Sequence, residues 1–216
     1  MTAATTKALE GLRDLSTMQW YAIPLLAIVF YIYTIEIRKA RDQGDWNPLV
    51  AALAIFGADF LNESLNGWFM VISGRSALWT APGPTALRTM IGWNIEIMFM
   101  FALLGFVFYH SLSDKRDSRI AGLPEPWFWA ILYSAVCVAV EIALNSGGLL
   151  VWEYPFWRAS ILGVIPIFLF GYLWFFAWAI LAIFRKTTRA KILVIAAPYG
   201  TAILLDSIAA AMGWVY

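Results

Sequence analysis

Six long apolar runs, separated by short polar or Gly- and Pro-rich breaks, dominate the chain. They cover about 19–37, 48–72, 85–111, 126–146, 159–184 and 192–214. Each approaches or exceeds the roughly 20 residues a helix needs to cross a bilayer, and none shows sustained strand-like alternation. Residues 1–18 differ: Lys7, Glu10, Arg13 and Asp14 mark a short interfacial helix or a disordered tail. They lack the charged, then apolar, then small-residue order of a signal peptide. The connection 147–157, with Trp152, Glu153, Tyr154, Pro155, Phe156 and Trp157, is apolar and aromatic. It is too short to cross and reads as a half-inserted seventh piece or a lid. Pro166 and Gly171 mark kink positions in the fifth run. The pattern predicts an all-α fold: a polytopic membrane helix bundle of six transmembrane helices, one domain over 19–216 behind the 1–18 segment.

Composition supports a membrane class. The 216 residues are 62% hydrophobic and 13% charged, against about 25% charged in a soluble domain. The formal net charge of +1 gives no footprint for nucleic acid. The single cysteine, Cys137, excludes a disulfide within the chain.

The basic residues set an orientation. The loops after the first, third and fifth runs hold Arg38, Lys39, Arg41, Lys115, Arg116, Arg119, Arg185, Lys186, Arg189 and Lys191, which is ten. The opposite side holds five: Lys7, Arg13, Arg75, Arg88 and Arg158. Both termini are therefore expected on the non-cytoplasmic face.

Against this apolar background the acids stand out. Asp59, Asn62, Glu63 and Asn66 recur at three- and four-residue spacing in the second run, so one helix face carries all four. A charge at the bilayer centre costs roughly 2.5–3.5 kcal/mol on insertion scales, which makes such residues functional candidates. A packing network of Asn, Ser and acid side chains is the plainer alternative. Glu63, Glu96, Glu141 and Asp206 come from four different runs. At 1.5 Å per residue, all four fall roughly 10–17 Å below the outer surface. Shared depth predicts one cavity lined by these acids, with Asp59 one turn deeper. Asn62, Asn66, Asn94 and Asn145, and the aromatics Trp68, Trp79, Trp93, Trp152, Tyr154 and Trp157, are the candidate substrate-binding groups; an interfacial aromatic belt is their ordinary role.

Several chemistries drop out. One histidine, His110, is too few for a di-iron or zinc site, and it lies at the wrong end of its run for a Ser-His-Asp triad. No Asp-Asp-x-x-Asp cluster or Gly-rich phosphate loop occurs. No metal site and no cofactor are expected. What remains is acid–base chemistry on a lipophilic substrate drawn from the membrane: a buried carboxyl group serves as general acid, and aromatic faces stabilise a developing cation.

An acid on the second helix and Asp206 on the last resemble the small integral-membrane terpene cyclases of meroterpenoid and indole-terpenoid pathways. In that family a Glu on helix two and an Asp on the last helix protonate a terminal epoxide or olefin. By position Glu63 matches the first and Asp206 the second. The family's Asn-x-x-Trp-Glu pattern is replaced here by Asp59-Phe60-Leu61-Asn62-Glu63, six runs stand where the family has seven, and Glu96 and Glu141 have no family counterpart. The resemblance implies protonation-initiated cyclisation or isomerisation of an isoprenoid. A proton- or cation-coupled transporter and a pigment- or lipid-binding accessory subunit are the alternatives from other classes.

Overall fold

The computed structural model describes residues 1–113, 115 and 118–216. Arg116, counted above among the basic residues after the third run, lies outside the described residues. The chain is mostly helical. Among the described residues seven helices follow one another: α1 (Ala3–Glu10), α2 (Ala22–Gln43), α3 (Asn47–Ser73), α4 (Ile95–His110), α5 (Glu125–Ser146), α6 (Ile161–Ile183) and α7 (Thr188–Ala211). Three two-stranded antiparallel ribbons join them, which the all-α expectation did not contain. They are β1 (Trp79–Thr80) with β6 (Val151–Trp152), β2 (Arg88–Met90) with β3 (Trp93–Asn94), and β4 (Arg119–Ile120) with β5 (Leu123–Pro124).

Local chemistry sets the helix ends. Gly44 and Gly74, at φ of 75° and 63°, close α2 and α3 in the left-handed conformation that costs glycine least. Pro48 sits in the first turn of α3, where its missing N–H is no loss. Asn94, Ser160 and Thr187 cap α4, α6 and α7, their side chains accepting from Ile97 N, Gly163 N and Ala190 N. The Asn94 cap explains why the third apolar run becomes helical only at Ile95: residues before it form the β2–β3 ribbon, with Met90 opposite Trp93.

Among the described residues, four helices are long and apolar enough to cross a membrane: α3, α5, α6 and α7. The six-span expectation exceeds this by two. Helix α2 carries Glu36, Arg38, Lys39, Arg41 and Asp42 in its second half, which shortens its apolar stretch. Helix α4 is apolar but has 16 residues, roughly 24 Å of rise against a hydrocarbon core of about 30 Å.

Helix α3 is the centre of the bundle. It packs against α4, α6 and α7, and two-thirds of its apolar window is buried, against 17% for α5 and for α7. Close approach to α4 depends on Gly105, where a Cβ would lie 2.3 Å from Ala52 Cα and 2.5 Å from Ala51 O. Such small-residue contacts let membrane helices approach closely. Helix α6 changes character at Pro166: residues Ile167–Leu173 form a π-helical segment before Trp174 resumes the α-helix. Proline removes a ladder donor, and the wider π turn is one way a helix absorbs that loss. Residues 1–18 are packed: Thr5 and Ala8 of α1 are fully buried, and Thr2 donates to Glu153 Oε2 at 2.6 Å.

Candidate functional site

A cavity of about 530 Å³ lies beside α3, enclosed by α4, α5, the π segment of α6 and the ribbon β1–β6. Four carboxyl groups line it: Asp59, Glu63, Glu96 and Glu141. Depth along the helices thus brings Glu63, Glu96 and Glu141 to one space, and Asp59 with them. Asp206 lies elsewhere. It faces a smaller depression beside Arg13, Trp93, Trp214 and Tyr216. Its oxygens accept from Ser64 Oγ at 3.2 Å and from the Tyr216 hydroxyl at 2.8 Å. Burial, and then this bond to Asp206, push the Tyr216 hydroxyl above its ordinary range. Equal depth says nothing of azimuth, and α7 turns Asp206 toward Ser64 rather than toward the cavity.

The four acids differ in how fully they are satisfied. Glu96, on the first turn of α4, accepts from the Tyr21 hydroxyl at 2.5 Å, the Thr85 hydroxyl at 2.5 Å and Ala86 N at 2.9 Å. Its carboxylate staples α2, the loop before β2 and α4 together. Asp59, 4% exposed, accepts from the Trp93 indole at 2.9 Å; the Trp93 ring stacks on Phe60 at 5.6 Å. Glu63, 3% exposed, accepts from the Trp79 indole at 2.5 Å through Oε1. Its Oε2 is buried with no hydrogen-bond partner among the described residues. Glu141, on α5, faces the buried hydroxyl of Tyr172 from the π segment. Asp59 feels the charge of Glu63 and of Glu141, and Glu63 that of Glu141, so three of the acids form one electrostatic unit. No group of three or more His, Cys, Asp or Glu with metal-holding geometry occurs among the described residues.

The candidate binding residues separate likewise. Trp79, Trp157, Asn62 and Asn94 line the cavity. The Trp79 and Trp157 rings stack at 5.5 Å, and the Trp157 indole N–H is buried without a partner among the described residues. Asn62 also donates to the Phe170 carbonyl at 3.0 Å, inside the π segment. Asn66 does not line the cavity. Fully buried, it donates to Trp79 O at 2.8 Å and accepts from Leu78 N at 2.8 Å and Trp79 N at 3.3 Å, so it fixes the strand that carries Trp79. Asn145 holds the 147–157 connection through Leu150 O at 3.0 Å. Trp68 donates to Leu205 O at 3.2 Å, on the α7 side. Trp152 pairs opposite Trp79 in the ribbon and is buried. Tyr154 donates to Ser76 O at 3.0 Å, with the Arg75 guanidinium over its ring. The connection itself is packed rather than free: Leu149, Leu150 and Trp157 close one side of the cavity.

Sequence reasoning missed Tyr133, Cys137 and Tyr172, which also line the space. Tyr172 had a signal, lying one residue beyond the Gly171 kink. It also missed an opening. Met100 of α4 and Val136 and Val140 of α5 line the cavity yet are 44–50% exposed on the outside of the bundle. Helices α4 and α5 touch only sparsely, so the cavity opens sideways between them.

Comparison with known proteins bears on the terpene-cyclase resemblance. A protein of Archaeoglobus fulgidus described only as "Uncharacterized protein" is 44% identical over 175 residues, covering 81% of this chain and 80% of that relative. No solved structure matches. Nothing in these comparisons points to terpene cyclases, and the resemblance is set aside. It rested on the positions of Glu63 and Asp206, which here face different spaces. Over residues 2–211 the chain matches, and it therefore belongs to, an uncharacterised membrane protein family.

Proposed function

We propose that this is a multi-pass membrane protein with a working acid–base site at Glu63, acting on a lipophilic substrate that enters sideways from the bilayer. In this reading α2 and α4 complete a six-span bundle with the four longer helices, and both termini lie on the non-cytoplasmic face. The observation that carries the reading is Glu63 Oε2: a buried acceptor with no hydrogen-bond partner among the described residues, on the wall of a cavity large enough for a small molecule. A buried polar atom left open costs about 1–3 kcal/mol, and a substrate group offsets that cost on binding. Asp59 and Glu141 are the neighbouring groups that exchange or share the proton. The Trp79–Trp157 pair excludes water and faces the reacting group. Positioned acids of this kind contribute typically 10²–10⁴-fold to a rate.

The substrate need not be known for a test. Protein in nanodiscs is incubated with a membrane-lipid extract in D₂O, and lipids are searched by mass spectrometry for carbon-bound deuterium. Native protein is expected to label one lipophilic species. Glu63→Gln keeps an acceptor for the Trp79 indole, so it should keep its melting temperature and lose the labelling at least 100-fold. Full labelling by a folded Glu63→Gln, or none by the native protein, removes the reading.

A second reading has one observation in its favour. The π segment of α6 supplies Gly171 and Tyr172 to the cavity wall, and such segments recur at functional sites. An irregular helix wall beside proton-bearing acids suits a proton-coupled transporter. Proton uptake into liposomes that Glu63→Gln abolishes, with no deuterium labelling, would favour it.

A further inference from the structure

The cavity has four acids and no built-in positive charge. Among the described residues that line it there is no Lys, Arg or His. Glu96 meets its charge with three short donors and Asp59 with an indole. Glu63 has one indole on Oε1; the Asn66 side chain and the Gly92 N–H act on the carboxyl group from nearby, but no hydrogen bond reaches Oε2 among the described residues. A carboxyl group out of water keeps its proton until a positive partner or a full set of donors can hold its charge; the cavity lining supplies no cation, so an entering amine or ammonium is the partner that would let Glu63 carry its charge. Beside it stand the stacked faces of Trp79 and Trp157, which attract a cation through the ring quadrupole. The lining contributed by α4 and α5 toward the opening is largely aliphatic: Ile97, Met100, Leu104, Val136 and Val140.

We infer that the ligand of this cavity is a lipophilic organic cation: one positively charged nitrogen, an amine or ammonium, on an apolar body. The nitrogen lies between Glu63 and Glu141 against the Trp79–Trp157 faces, and the apolar body runs toward the gap between α4 and α5. The cation supplies the charge that the site lacks, and the sideways opening admits a molecule already dissolved in lipid. This inference rests on the acid–base reading of Glu63 and names its substrate class.

Three probes of one shape separate charge from size: 4-phenylbutylamine, its trimethylammonium derivative, and the uncharged tert-butyl isostere of the latter. Binding is measured by calorimetry in nanodiscs of zwitterionic lipid at pH 7, with empty nanodiscs subtracted. Both cations should bind at least tenfold more tightly than the isostere. Glu63→Gln should erase that preference while leaving the isostere's affinity unchanged. Should Glu63→Gln fail to fold, Trp157→Leu removes an aromatic face and leaves every carboxyl group in place; it should weaken both cations and spare the isostere. Equal affinity for the isostere and the cations in native protein, or no binding of either cation, overturns the inference. Isostere binding equal to the cations leaves the acid–base reading standing. Cation selectivity without deuterium labelling removes that reading and keeps the cation as the cavity's ligand, no longer as its substrate.

Discussion

Replacing Asn66 tests whether the polar face of α3 is a set of ligand contacts or partly a framework. Its side chain is fully buried and satisfies three backbone groups of residues 78 and 79. Asn66→Ala leaves those groups without partners in a space that water enters poorly. The two bonds at 2.8 Å are the strong ones; the third, at 3.3 Å, is left out of the count. Exposing two buried backbone groups at about 1.5 kcal/mol each costs about 3 kcal/mol. For a chain of this size that lowers the melting temperature by roughly 6–12 °C, at about 2–4 °C per kcal/mol.

Two comparisons isolate the cause. Asn66→Asp keeps the volume but turns a carboxylate oxygen toward the Trp79 carbonyl, so it should destabilise at least as much as Asn66→Ala. Asn145→Ala removes a single bond, to Leu150 O, and should cost about 1 kcal/mol. The assay is thermal unfolding of purified protein in one detergent, followed by tryptophan fluorescence. An Asn66→Ala protein that melts within 2 °C of the native one would refute the framework role. The side chain would then be free to serve as a ligand contact, as its position on the helix face had suggested.

Two further outcomes follow from packing and charge. Gly105→Ala puts a methyl group 2.3 Å from the Ala52 backbone, where neither helix can yield cheaply; a loss of about 1–3 kcal/mol is expected in the same unfolding assay, whereas Gly200→Ala, with open space around it, should leave the fold in place. Glu96→Ala leaves the Ala86 N–H and the Tyr21 and Thr85 hydroxyls without their acceptor, so it should cost about 2–3 kcal/mol and loosen residues 85–86 to proteolysis, while Glu63→Gln, which keeps its acceptor for Trp79, melts normally.

Much of the architecture is legible in the sequence because helix signals are local. The runs at 48–72, 126–146, 159–184 and 192–214 lie within a few residues of α3, α5, α6 and α7, since Pro, Gly and capping residues punctuate them. Pro166 directly precedes the π segment and Gly171 lies within it. What periodicity could not give is partnership across the chain. Arg88 is buried and bound to the carbonyls of Ala81, Gly83 and Ala8, which folds residues 85–94 into a ribbon instead of extending α4. The acids divide in the same way. Spacing placed Asp59 and Glu63 on one face, and depth aligned Glu96 and Glu141 with them. The rotation of α7 that carries Asp206 to Ser64 and Tyr216 is a product of helix packing, and no run of residues encodes it locally.

The donor supply around each acid sorts framework from function. Glu96 has three donors, Asp206 has two, and Asp59 has one. Glu63 has one close donor on one oxygen, the Asn66 side chain and Gly92 N–H acting from nearby, and no hydrogen bond on the other oxygen among the described residues. Carboxyl groups at membrane depth are costly, and a chain built for stability alone would satisfy each of them as it satisfies Glu96. The shortfall falls on an acid of the cavity, beside a pair of stacked indoles and within reach of a gap between α4 and α5, and its neighbour Glu141, which faces only the Tyr172 hydroxyl, shares it. Local rules that are broken without an internal compensation mark functional positions. On that argument the compensation for Glu63 comes from outside the chain, from whatever occupies the cavity.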